Sequence, residues 1–92
     1  MTEQRRRVTI VNKRGLHARA SAKFVGAVSA LPDNVDVRVA KDGTEAAGGS
    51  ILGLMMLGAA RGNEVELIVV GENSESVMND LAHLVENGFG EE

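Results

Sequence analysis

The sequence predicts an α+β fold: a four-stranded, mainly antiparallel sheet with all of its helices on one face. Segments with alternating apolar residues are interleaved with segments whose apolar residues recur every three or four positions. Their order along the chain is strand, helix, strand, strand, short helix, strand, helix. The strand segments are apolar on one side only, as is typical of antiparallel sheets that expose one face to solvent.

Size and composition limit the classes of protein to which this chain can belong. Its 92 residues suffice for one domain with a modest core, and we expect a single domain over residues 1–92. The chain has no cysteine, which excludes disulfides and thiolate chemistry, and its two histidines lie far apart, so we expect no metal site. It shows neither a charged-then-apolar leader nor an apolar run of about 18 residues, so we expect a cytoplasmic protein that does not enter a membrane.

The first two elements are a strand and a helix. Residues 1–5 look like a loose end, and residues 6–11 are β-branched and partly alternating, which predicts a strand. A polar loop over residues 12–15 follows. The apolar residues of the next segment form one helical stripe: Ala20, Phe24, Ala27, Val28 and Leu31. Pro32 then ends the helix, because proline cannot continue it.

A hairpin and a short helix come next. Residues 35–39 alternate valine with charged residues, and the Asp-Gly pair that follows is a strong signal for a two-residue turn. Residues 44–47 form the return strand. Ser50 can then cap a short helix over residues 51–56.

The last two elements are a strand and a helix. Residues 63–70 predict the strand, with an apolar residue at every second position. Asn73 or Ser74 can cap the final helix, and Gly88 is placed to end it. The apolar face of this helix comprises Val77, Met78, Leu81, Leu84 and Val85. His83 falls on the polar side, and we expect it to be an ordinary surface residue.

The net charge of −3 conceals an asymmetry along the chain. Residues 1–30 hold seven of the ten cations and one acid, whereas the rest of the chain holds three cations and twelve acids. The positive end favours an acidic partner or a phosphate. The arginine run at residues 5–7 alone is open to two interpretations, solvated surface charges or a nucleic-acid site. No basic surface with aromatic residues follows it, so we expect no nucleic-acid partner.

Segment 15–19 places His17 and Arg19 at the predicted start of the first helix. The free N–H groups of Ala18, Arg19 and Ala20 point out of this helix end and carry a partial positive charge, which suits a phosphate. A neutral imidazole can attack phosphorus, and the Arg19 side chain can neutralise charge on the transferring oxygens. No carboxylate lies nearby in sequence, which favours holding a phosphoryl group over hydrolysing it. From spacing alone, a histidine that only caps the helix is the alternative.

The segment after Ser50 is apolar around nearly the whole circumference of a helix. One face can enter the core, and the opposite face is then a docking surface for a partner, which we assign to Leu52, Met55 and Met56. A fully buried core helix is the alternative. Ser50 itself is most simply a helix cap.

Residues 15–21, with the sequence GLHARAS, closely resemble the active-site motif of the histidine-containing phosphocarrier family, HPr, of the phosphoenolpyruvate-dependent phosphotransferase system. Residues 8–10 precede the motif as the family's first strand does, and residues 49–58 resemble the segment around the family's regulatory serine. The element order also agrees, so the resemblance extends from about residue 6 to residue 90. The tail over residues 88–92 looks more like the nitrogen-related, NPr-like branch than like the sugar-transport branch.

The resemblance implies an open-faced sandwich with antiparallel strand order 1-4-2-3 and three helices on one face. It implies a bacterial phosphocarrier, which acts in a relay without a cofactor and without turnover of its own. Enzyme I would phosphorylate His17 at Nδ1, with Arg19 beside it, and an enzyme IIA would receive the phosphoryl group. In some lineages an HPr serine kinase/phosphorylase modifies the serine that matches Ser50. We expect a monomer.

Two residues depart from the family's pattern. Most members have proline where this chain has Ala20, which keeps an N–H and is a good helix former, so we expect a looser site with its function intact. Arg14 stands where many members have a small polar residue, and its positive charge bears on the choice of partner.

Two other functions stay open at this point. The first is a non-catalytic regulatory module that binds a partner through the apolar helix at residues 51–57 and leaves His17 idle. The second is a small nucleic-acid-binding domain that uses the arginine run.

Overall fold

The computed structural model describes residues 2–91 and has the predicted α+β architecture. The strands are β1 (Thr2–Thr9), β2 (Asp36–Lys41), β3 (Thr44–Ala47) and β4 (Glu64–Gly71). The helices are α1 (Ala18–Ser29), α2 (Ile51–Met56) and α3 (Ser74–Glu86), and a 3-10 turn over Gly88–Gly90 follows them. The strand pairs are antiparallel, in the order β1-β4-β2-β3. The implied open-faced sandwich with strand order 1-4-2-3 and its three helices on one face is therefore confirmed.

The N-terminal segment differs from the prediction. A loose end was expected over residues 1–5, and this is wrong for residues 2–5, which begin β1; residue 1 lies outside the described residues. Thr2 pairs with Gly71 and Arg5 with Ile68 of the neighbouring strand. This polar segment is extended because β4 pairs with it, and its own composition carries no sign of that partner.

The other boundaries follow the sequence more closely. β3 and α2 have the predicted bounds, and α1 begins directly after His17. β2 extends beyond residues 35–39 to Lys41, because Ala40 pairs with Glu66 of β4 and Lys41 pairs with Thr44 of β3.

The core lies between the helices and the inner face of the sheet. Its most deeply buried large side chains come from nearly every element: Phe24, Leu54, Leu67, Met78 and Phe89. The last of these belongs to the 3-10 turn, and its side chain is only 1% exposed. The chain end after α3 is thus anchored in the core by an aromatic side chain that was expected to belong to a tail.

The arginine run is divided between the two faces of the sheet. Arg5 and Arg7 lie on the uncovered face and form ion pairs with glutamates of β1 and β4. Arg6 points the other way, and its Nη2 donates a hydrogen bond of 2.8 Å to Asn79 Oδ1 of α3. The three guanidinium groups therefore do not form one continuous basic surface, and the nucleic-acid hypothesis loses the observation on which it was based.

Candidate functional site

The site begins with a glycine turn between β1 and α1. Gly15 has φ +62°, and its N–H donates to the Asn12 carbonyl at 3.2 Å. The next N–H, of Leu16, donates to the Ala59 carbonyl at 3.0 Å. A Cβ on Gly15 would lie 2.3 Å from that same Ala59 oxygen. Only glycine fits here, because any side chain would collide with the backbone that holds the turn.

His17 is the N-cap residue of α1. Its backbone is extended (φ −76°, ψ −178°), and its carbonyl accepts the N–H of Ser21 at 2.9 Å. Its Nδ1 accepts the N–H of Arg19 at 3.2 Å. The predicted position at the helix start is confirmed. The alternative interpretation, a histidine that caps the helix, also agrees with this geometry, because Nδ1 is the capping atom. The His17 side chain is 16% exposed.

A carboxylate from the other end of the chain contacts the second ring nitrogen. His17 Nε2 lies 3.0 Å from Glu91 Oε2 and 3.1 Å from Glu91 Oε1. The Glu91 side chain is only 17% exposed. The buried Asn12 amide nitrogen donates to Glu91 Oε1 at 3.2 Å and to the Gly15 carbonyl at 2.8 Å. The fold therefore brings a carboxylate to a histidine that has none nearby in sequence.

The surroundings of Glu91 keep its carboxyl group ionised. The hydrogen bond with His17 lowers the pKa of this carboxyl below its ordinary value of 4.5, although desolvation opposes the shift. The Asn12 hydrogen bond and the positive charge of Arg19 lower the pKa further. The contact with His17 therefore involves a carboxylate at neutral pH.

Local sequence did not predict Glu91 as part of the site, because this residue lies 74 positions from His17. Two features of the sequence could have indicated such a contact. The excess of cations in the first thirty residues favours contacts with acidic residues from the rest of the chain. The Gly-Phe-Gly segment allows the chain to reverse direction sharply after α3. In the structure Lys23 Nζ donates to the Phe89 carbonyl at 2.8 Å, which ties this reversal to α1.

A cluster of cations surrounds the histidine. One shallow cleft is lined by Lys13, Arg14, His17, Arg19, Lys23, Gly90 and Glu91. Four of these side chains are basic, and one is acidic. Together with the N-terminal end of α1, they produce a positive field that attracts anions. The Ala18, Arg19 and Ala20 backbone forms the first turn of α1, and the Ala20 side chain is buried in the core.

Ser50 and the apolar helix form a separate feature. Ser50 is the N-cap of α2, and its Oγ accepts the Gly53 N–H at 2.9 Å. Leu54 is fully buried, but Leu52, Met55 and Met56 are 68%, 40% and 75% exposed. The alternative of a fully buried core helix is therefore wrong. Ser50 does not line the cleft around His17, although the chain that leaves α2 contacts the Gly15 turn.

The second histidine lies on the surface, away from this site. His83 is exposed on α3, with Nε2 2.8 Å from Asn87 Nδ2.

Within residues 2–91, no group of three or more histidine or acidic side chains is arranged to hold a metal ion. None of the helices in that range has the length and apolarity needed to cross a bilayer.

Comparison with known proteins assigns the chain to one family. The family model described as "PTS HPr component phosphorylation site" matches residues 4–87. Phosphocarrier protein HPr of Pseudomonas putida is 45% identical over 86 residues, which is 94% of each chain. Phosphocarrier protein NPr of Shewanella violacea is 34% identical and covers 99% of this chain and 98% of its own.

A solved structure agrees with these relatives. HPr of Thermoanaerobacter tengcongensis superposes with a TM-score of 0.86 at 39% identity, over 100% of this chain and 99% of that one. The shared strand order, the histidine at the helix start and the sequence matches have one explanation: this chain belongs to the HPr family, the phosphocarrier proteins of the phosphotransferase system.

Proposed function

We propose that this chain carries a phosphoryl group on His17, which accepts it at Nδ1 from phosphorylated enzyme I and passes it to an enzyme IIA. The observation that carries the proposal is the contact of Nδ1 with the Arg19 N–H at the N-terminal end of α1. A backbone N–H can only donate, so Nδ1 is unprotonated and its lone pair is available to a phosphorus atom. The protein needs no cofactor for this step and has no turnover of its own.

The backbone of the first helical turn provides the second part of the proposal. When Nδ1 forms a bond to phosphorus, its lone pair no longer accepts the Arg19 N–H. This N–H, with those of Ala18 and Ala20, is then free to bind the phosphoryl oxygens. The Arg19 guanidinium and the neighbouring lysines add positive charge where negative charge develops.

Phosphorylation with phosphoenolpyruvate and enzyme I tests the acceptor. We expect an acid-labile phosphoryl adduct on the intact protein and complete loss of this adduct in His17→Ala. His83→Ala is the matched control, because it removes the other, surface-exposed histidine, and it should form the adduct as the intact protein does. The measurement is incorporated phosphate, followed by its release in acid. If the intact protein formed no adduct, the carrier function would be refuted, and the non-catalytic binding module would be the better interpretation.

The exposed face of α2 supports the docking part of the proposal. Leu52, Met55 and Met56 offer large apolar side chains to a partner, and thioether side chains adapt to different surfaces. The cations around His17 favour a partner with an acidic surface. Both features suit enzyme I and an enzyme IIA, each of which must bring its own phosphoryl site to the same histidine. Relatives named HPr and NPr both match the chain, so the proposed output is either sugar transport or nitrogen regulation.

Ser50 provides a means of regulation by an HPr serine kinase/phosphorylase. A phosphate on its Oγ would place about two negative charges beside the apolar face of α2, and so oppose docking without unfolding the domain. We expect Ser50→Glu to accept phosphate from enzyme I more slowly than the intact protein. Ser50→Ala should accept it at the normal rate, although the lost cap lowers the free energy of unfolding by about 1 kcal/mol. Equal rates for the two variants would show that charge at this position does not control transfer.

A further inference from the structure

The two ring nitrogens of His17 have partners on opposite sides. Nδ1 accepts the Arg19 N–H at 3.2 Å, and Nε2 faces both carboxylate oxygens of Glu91 at 3.0 and 3.1 Å. Since the backbone N–H is a donor only, the proton of a neutral imidazole must lie on Nε2, where it points at the carboxylate. The ring is therefore held in one tautomer and one orientation from both sides.

Glu91 is itself held in place by several contacts. The Asn12 amide donates to Glu91 Oε1 and to the Gly15 carbonyl, so a single buried side chain joins the tail to the glycine turn. The Glu91 N–H donates to the Gly88 carbonyl at 2.9 Å. The buried Phe89 and the Lys23 hydrogen bond to its carbonyl anchor the turn from which Glu91 extends. A residue supported by these contacts can orient a histidine.

We propose that Glu91 is a positioning residue for phosphoryl transfer, which fixes the Nε2–H tautomer of His17 and neutralises the charge that the ring acquires. This inference rests on the proposed role of His17 as the acceptor. It concerns the nitrogen opposite the one that reacts, so the carboxylate does not occupy the place of the phosphoryl group.

The transfer step shows what the carboxylate contributes. The Nδ1 lone pair forms the new N–P bond, while the bond between phosphorus and the donor's leaving atom breaks and leaves its electron pair on that atom. His17 releases no proton, because Nδ1 carries none and the Nε2 proton stays between the ring and Glu91. The imidazole ring therefore gains positive charge as the bond forms. A carboxylate 3.0 Å from Nε2 stabilises this charge, and the amide of a glutamine would not.

Two variants at position 91 separate this role from a purely structural one. Glu91→Gln keeps the length and a hydrogen-bond acceptor but removes the charge. We expect phosphorylation by enzyme I to slow by about 10- to 100-fold, by analogy with the loss seen when a partner that orients a metal-bound histidine is removed. In Glu91→Ala we also expect nitrogen NMR shifts of His17 to show a mixture of tautomers where the intact protein has mainly Nε2–H. Glu86→Gln removes an exposed carboxylate from the end of α3 and should change neither measurement.

The possible failures are distinguishable. If the intact protein itself acquires no phosphoryl group, the proposed function of His17 fails. If the intact protein is phosphorylated but Glu91→Gln is phosphorylated at an equal or higher rate, the inference about Glu91 is overturned and the carrier function stands. Thermal unfolding of each variant, measured alongside, verifies that a slower rate does not come from a loss of fold.

Discussion

Gly15→Ala should unfold at a much lower denaturant concentration than the intact protein, with a loss of about 3 kcal/mol or more. A left-handed φ of +62° costs an alanine about 1–2 kcal/mol. The added Cβ would also lie 2.3 Å from the Ala59 oxygen, so the backbone must shift, and overpacking of this kind costs about another 1–3 kcal/mol. The Leu16–Ala59 hydrogen bond uses the same oxygen and would be strained or lost.

Gly26→Ala is the matched control for this prediction. Gly26 lies on the exposed side of α1, and a Cβ there meets no atom within 4 Å. Alanine is the better helix former, so we expect a gain of about 0.5–1 kcal/mol. Urea unfolding of both variants measures the two free energies. Phosphorylation of the folded fraction of Gly15→Ala should also be slower, because the turn sets the position of His17. An unfolding free energy within 1 kcal/mol of the intact protein would contradict the proposed tightness of the turn.

Leu54→Ala should lower the free energy of unfolding by about 2–5 kcal/mol, the usual cost of removing a leucine from a closed core. Leu54 is fully buried on the inner face of α2, where it contributes to the main core cluster. The helix is only six residues long, so its place on the sheet depends on this side chain more than on its own propensity. Urea unfolding measures the loss.

Leu52→Ala, two residues earlier in the same helix, should behave in the opposite way. Its side chain is 68% exposed, so we expect the free energy of unfolding to change by no more than about 0.5 kcal/mol. We expect weaker docking to enzyme I instead. The measurement is the KM of enzyme I for the variant, which should rise. An unchanged KM would show that Leu52 does not contribute to the docking surface. A large loss of stability in Leu52→Ala would show that the helix packs with a different face inward.

Local chemistry made several elements predictable from the sequence. The Asp-Gly turn fixes how β2 returns as β3, and Ser50 marks the start of α2, because both effects act over a few residues. His17 was placed at the start of α1 for the same reason: the apolar stripe of the helix begins directly after it. The exposed apolar residues of α2 could also be anticipated, since a short helix that is apolar all round cannot bury every side at once.

The features that were missed depend on contacts between distant parts of the chain. Residues 2–5 are a strand because β4 lies beside them. Once they are a strand, neighbouring arginines point to opposite faces of the sheet. Phe89 is buried because the chain turns back after α3. None of these partners lies within the few residues over which a local pattern carries information.

The sequence by itself determined the element order, the histidine at a helix start and the family to which that motif points. Tertiary structure alone decided which group faces the second ring nitrogen of that histidine. Glu91 reaches Nε2 across 74 positions of sequence, and it does so because Phe89 is buried and Asn12 joins the tail to the Gly15 turn. Periodicity and capping encode interactions between near neighbours, whereas the position of the Glu91 carboxylate depends on how the whole chain packs.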